Sequence, residues 1–220
     1  MPVADAKSDL HRYLKRAREA LLWKLDGLSE YDVRRPVTPT GTNLLGLLKH
    51  VASVQAGYLG ETFDRPFPEP VPWLDDGAEP NATSNPPAAT KRFRVPWLDD
   101  GAEPNADMWA AEDESREMII GFYERVNAHC DATVDALDLE SLGQVPWWPA
   151  ERSEVTLHRI LVHMISETER HAGHADIVRE LIDGGAGLSE GNDNLPSRGA
   201  QWWQDYRARL EAVAEKAGRG

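Results

Sequence analysis

Glu167 and His171 stand four residues apart in the stretch LHRILVHMISETERHAGHADIVRELIDGG, residues 157–185. At about 100° per residue, Ile160, Met164, Val178 and Ile182 fall within about 40° of one direction on a helix. By the same count Glu167 lies about 20° to one side of that direction and His171 about 20° to the other. A carboxylate and an imidazole therefore occupy the apolar stripe, and His163 and His174 flank it. Burying such groups is costly unless they are paired or bind a cation. One turn apart, both side chains can reach a single ion. Zinc, nickel and iron favour imidazole and accept carboxylate, so the pattern points to a divalent metal.

Two donors on one helix are too few for such a site, and a third must come from elsewhere. His50 is the best candidate, as the only histidine of its helix, at about 100° from that helix's apolar centre. His163 and His174 are alternatives, or groups that orient the ligands. A buried Glu167–His171 pair without metal also stays open at this point. His11 and His158 stand beside charged residues and are expected in solvent, and His129 has no evident role.

The positioning elements are helical. Apolar residues at 3–4 residue spacing predict helix one over 4–26, with Gly27 as its stop. Helix two is predicted over 43–63, burying Leu44, Leu47, Val51, Val54 and Tyr58. Helix three is predicted over 107–137, with Asp107, Glu112, Asp113 and Glu114 at its positive end. Helix four starts after Thr156 as N-cap and stops at Gly184-Gly185. A last helix over 199–216 carries Trp202, Tyr206, Leu210 and Val213 on one face. Trp202 and Trp203 are expected to pack on the bundle, because tryptophan is usually mostly buried. No segment alternates convincingly as a strand. The expectation is an all-α, up-down four-helix bundle with the extra C-terminal helix packed outside it, a single domain over 1–220.

The connection between helices two and three, 64–106, is long for a compact domain. VPWLDDGAEPNA occurs there at 71–82 and again, letter for letter, at 95–106. Such identity reads as a recent duplication in a surface loop, with a lid as the alternative. One copy is expected to pack through Trp73 or Trp97 and the other to be mobile.

The 220 residues carry a net charge of −13. Nucleic-acid binding needs a basic face, and the one basic cluster, Lys91-Arg92-Phe93-Arg94, is too short to supply it. The single cysteine, Cys130, falls on an apolar helical spacing and is expected to be a buried thiol. One cysteine forms no intrachain disulfide, which fits a cytoplasmic location. No apolar run is long enough to span a membrane.

The phrase LVHMISETERHAGHADIVRELIDG, with LLGLLKHVASVQAGYLGETF and the VPWW loop, resembles the DinB-like bundle superfamily. It is most similar to an actinobacterial branch related to mycothiol-dependent maleylpyruvate isomerase. The resemblance implies a four-helix bundle holding one divalent metal through His50 of the LLKHV motif and Glu167 and His171 of the ExxxH pattern. Many relatives have histidine at the position of Glu167 and glutamine at that of His174. The activity implied is metal-dependent transfer of a low-molecular-weight thiol, mycothiol or bacillithiol, to a small electrophile, with His174 or His163 relaying a proton. Two further readings remain: a hydrolase or isomerase working without thiol, and a non-catalytic metal-binding stress protein or dimerising module.

Overall fold

In a computed structural model, described here for residues 5–69 and 105–219, four long helices pack around one core. They are α1 (Ala6–Trp23), α3 (Leu44–Leu59), α4 (Arg116–Ala136) and α6 (Leu157–Asp183). Short elements join them: α2 (Glu30–Arg34), a 3-10 turn (Glu61–Phe63), and α5 (Ala150–Ser153) between strands β1 (Leu142–Gln144) and β2 (Glu154–Thr156). The all-α bundle expected from the periodicity is present. The antiparallel pair β1–β2 was not foreseen, because three-residue strands leave no alternation to read.

Local chemistry sets the helix ends. Asp5, Asn43, Ser115 and Thr156 each accept a backbone N–H of the first turn, at Ser8, Gly46, Met118 and Arg159. Gly184 closes α6 in the left-handed conformation, as its position predicted. Helix three begins nine residues later than expected. Asp107–Ser115 is not helical: Ser115 is the cap, and Asp107 and Glu114 are engaged by side chains of α3.

Contacts between helices define their directions. Lys7 reaches the Asp135 carbonyl and Arg116 the Leu25 carbonyl, so α1 and α4 are antiparallel. His50 meets Glu167 and Tyr58 meets His163, so α3 and α6 are antiparallel. Lys49 pairs with Glu114, and Cys130 donates to the Gln55 carbonyl, so α3 and α4 run the same way. The order is up, down, down, up, so α3 and α4 run parallel in place of the strict alternation of an up-down bundle. A chain leaving α3 at one end of the bundle must re-enter α4 at the other, which accounts for a long connection. Both tryptophans of the repeat, Trp73 and Trp97, and the basic cluster 91–94 lie outside the described residues.

Helix α3 departs from the amphipathic expectation. All its residues except His50 are buried, including Lys49, Ser53 and Gln55. Its apolar residues go most of the way round, and such a helix is covered on every side. Cys130 is fully buried, as expected.

Helix α7 (Ala200–Ala217) has no buried residue. Trp202 stacks on Tyr206 at 5.1 Å and meets Trp203 edge-on at 4.9 Å, so these rings satisfy one another on α7. Among the described residues, the expected packing of Trp202 and Trp203 on the bundle is thus replaced by contacts within α7 and with Arg198 just before it. Among the described residues, no helix is long and apolar enough to cross a membrane. A chain truncated after residue 198 is expected to keep its thermal midpoint within about 3 °C, since it loses little buried area. A larger drop in a calorimetric scan would mean that α7 packs on the core in solution.

Candidate metal centre

The groove between α3 and α6 collects the three residues singled out by spacing. His50 extends from α3, and Glu167 and His171 from adjacent turns of α6. Glu167 Oε1 stands 3.0 Å from His171 Nε2 and 3.5 Å from His50 Nε2. The two imidazole rings meet edge-on, 4.7 Å between centroids. One donor atom from each of the three lies within 4.8 Å of the others. For metal–ligand bonds near 2.0–2.2 Å, a tetrahedral site spaces its donors by about 3.3 Å. The two Glu167 distances bracket that value.

Burial is uneven across the triad. The side chains of His50 and His171 are about nine-tenths buried, whereas Glu167 is 26% exposed. Thr168, not Glu167, takes the fully buried position on that turn of α6. The stripe is thus turned slightly from the expected centre, and the centre opens to solvent on the Glu167 side.

The electrostatics are strongly coupled. Burial disfavours the His50 imidazolium, but hydrogen bonds to Asp107 and Glu167 outweigh it and raise the pKa to about 9. His171 first, and then His50, hold the Glu167 carboxyl far below its usual range against the opposing effect of burial. The site thus attracts positive charge, whether proton or cation.

Sequence reasoning missed Asp107. Its carboxylate accepts from His50 Nδ1 at 2.6 Å, and the residue is 2% exposed. Nothing in the sequence marked it, because it lies 57 residues from its partner and reads as an ordinary acidic residue at a helix start.

His163 and His174 do flank the triad, on the turns either side. The His163 ring packs on Tyr58 at 4.7 Å and on Trp148 at 5.8 Å. Tyr58 Oη accepts from the Trp147 and Trp148 indole N–H groups at 3.3 and 3.0 Å. The VPWW motif is therefore held against α3, one helical turn from Glu167. Burial pushes the His163 pKa down. His174 is exposed, with its ring 5.4 Å from that of His171. Its pKa is lowered by desolvation and then by His171 and Arg170.

The other histidines stay away. His158 is exposed, as expected. His11 is not solvated: its Nε2 sits 2.7 Å from Asp131 Oδ1, in a network with the buried Arg18 guanidinium. His129 donates to the Arg65 carbonyl at 2.7 Å, which ties the end of the 3-10 turn to α4.

The mycothiol S-transferase profile matches residues 9–184. The chain belongs to the mycothiol S-transferase family. The match spans the four-helix bundle and ends one residue past α6, leaving out α7. The crystal structure of a conserved protein from Enterococcus faecalis is similar in fold, with a TM-score of 0.56 and 15% identity. The superposition covers 83% of this chain and 100% of that one. No curated protein matches the chain.

His50→Ala and His171→Ala are each expected to cut bound zinc from about one ion per chain to well below one while keeping the helical signal, since each removes a donor. Elemental analysis after gel filtration checks this. Full occupancy in either variant would remove that residue from the ligand set.

Proposed function

We propose that this protein is a metal-dependent thiol S-transferase that joins mycothiol, or the related bacillithiol, to a small electrophile. The observation that carries the reading is Glu167 Oε1 poised between two imidazole nitrogens at the solvent-facing edge of the bundle. Membership of the mycothiol S-transferase family supports mycothiol as the thiol.

The residues present fit a divalent metal. Two imidazoles and one carboxylate suit zinc, nickel or iron, and their spacing suits four-coordination with one position left over. His50, Glu167 and His171 are the proposed ligands. A dication there lowers the proton affinity of a thiol beside it.

The chain's other residues divide the remaining work. Substrates approach past Glu167, where the groove is open. His163 and His174 stand on either side with depressed proton affinity, so each is neutral near pH 7 and able to accept the thiol proton. The exposed His174 is suited to pass that proton to water. The sulfur then bonds to the electrophilic carbon of the substrate, which either expels its leaving group with the bonding electrons or, where the carbon is part of a double bond, passes the π electrons to the neighbouring atom, which takes back the proton. Tyr58, Trp147 and Trp148 wall the His163 side with aromatic surface. The protein's own thiol takes no part, since burial pushes Cys130 up to about 12 and hides its sulfur from substrate.

The test follows the loss of free thiol in the presence of a model electrophile. Thiol consumption is expected to require both mycothiol and an added dication, and to cease with a chelator. His174→Ala or His163→Ala is expected to lower kcat by about 10²–10⁴-fold at the residue that accepts the proton, with bound metal retained. Turnover of substrate that ignores thiol concentration would point instead to hydrolysis or isomerisation.

A further inference from the structure

Residues 105–115 form a strap across the N-terminal half of α3. Four residues of the bundle hold it there. Gly46 leaves room for it: a Cβ at that position would overlap the Met108 carbonyl. Asn43 Nδ2 donates to the same carbonyl at 3.2 Å. The buried Lys49 ammonium donates to the Trp109 carbonyl at 2.9 Å and to both Glu114 oxygens at 2.6 and 2.7 Å. Arg34 donates to the Ala111 and Glu114 carbonyls at 3.1 and 2.7 Å. Gly46 lies one turn before His50 on α3, so the strap delivers Asp107 directly to that imidazole.

We propose that Asp107 is a positioning residue for the metal centre, and that the strap is the device that holds it in place. A carboxylate can only accept, so His50 Nδ1 carries the hydrogen, and a cation held between His50 and Glu167 would displace any proton on Nε2 and take its lone pair. The Asp107 charge also adds to that of Glu167, and two carboxylates balance one dication. His171 has no counterpart to this arrangement: its Nδ1 is buried with no hydrogen-bond partner among the described residues. The burden of orienting an imidazole by hydrogen bond thus falls on the His50–Asp107 pair.

The second copy of the duplicated segment ends within this strap, at Asn105-Ala106. The second copy runs directly into Asp107, whereas the first is followed by Thr83-Ser84. The two copies are equal in sequence, but one alone leads into the residue that contacts His50.

This inference rests on the reading of His50, Glu167 and His171 as metal ligands, and its test separates the two. Zinc affinity of the full chain is measured by competition with a chromophoric chelator, with the thermal midpoint of each metal-free variant recorded beside it. Asp107→Ala is expected to weaken zinc by about 10–100-fold. Asp107→Asn, which keeps an acceptor oxygen but no charge, is expected to fall between it and the parent. Gly46→Ala alters neither His50 nor Asp107, yet is expected to weaken zinc in the same direction by lifting the strap. Nitrogen-15 spectra of the zinc-loaded parent are expected to show His50 protonated at Nδ1. If Asp107→Ala fails to fold, the Asn and Gly46 variants and the ring spectrum carry the test.

Zinc binding by folded Asp107→Ala, or by Asp107→Asn and Gly46→Ala together, within about twofold of the parent would overturn the positioning role. So would a His50 protonated at Nε2 in the zinc-loaded parent. A parent that binds zinc tightly while these variants bind it equally well defeats only this inference. A parent that binds no zinc through His50 and His171 defeats the ligand assignment beneath it as well.

Discussion

A single carboxylate shared by two imidazoles across the α3–α6 groove is the constraint around which this bundle is organised. Glu167 Oε1 faces His171 from its own helix and His50 from the opposite one. Left without partners, such groups would each cost about 1–3 kcal/mol or more in a protein interior. Ile160, Leu161, Met164 and Val178 of the same helix are buried. At about 1.5–3 kcal/mol for each buried aliphatic side chain, they together exceed that cost. The helix can therefore carry polar donors in its packed face and still fold. The donors remain at the edge of the core, where one side meets solvent.

The same logic extends to α3. A helix covered on every side needs something over the face that α4 and α6 leave bare, and residues 105–115 supply it. The cover is polar in its attachments: Lys49, Asn43 and Arg34 all bind backbone carbonyls or a carboxylate of the strap. A buried lysine is expensive unless fully hydrogen-bonded, and Lys49 meets that condition by gripping Glu114 and Trp109. Fold and site are thus joined at one place. The contacts that finish the burial of α3 also bring a second carboxylate to His50.

Much of this was legible in the sequence, and the exceptions share a cause. Helix α6 could be read almost to the residue, because a 27-residue helix with strong period, a threonine cap and a terminal glycine carries several independent signals. Glu167 and His171 followed from that period alone. His50 was reachable as the lone histidine of α3, and family resemblance sharpened the choice. Asp107, the late start of α4 and the paired state of His11 were not legible. Each depends on contacts between residues distant in sequence, which local spacing does not encode. Acidic residues at 107 and 112–114 looked like helix-dipole partners, yet Asp107 and Glu114 serve α3 instead. Helix α7 failed in the opposite sense, since an amphipathic pattern with two tryptophans implied a docking face where the rings pack on one another.

X-ray absorption spectroscopy at the zinc edge, on the zinc-loaded full chain, tests the central claim most directly. Two imidazole ligands with nitrogen at about 2.0–2.1 Å, and oxygen completing a four-coordinate shell, is the result expected. A shell of oxygen alone, or one containing sulfur before any thiol is added, would contradict a centre built from His50, Glu167 and His171.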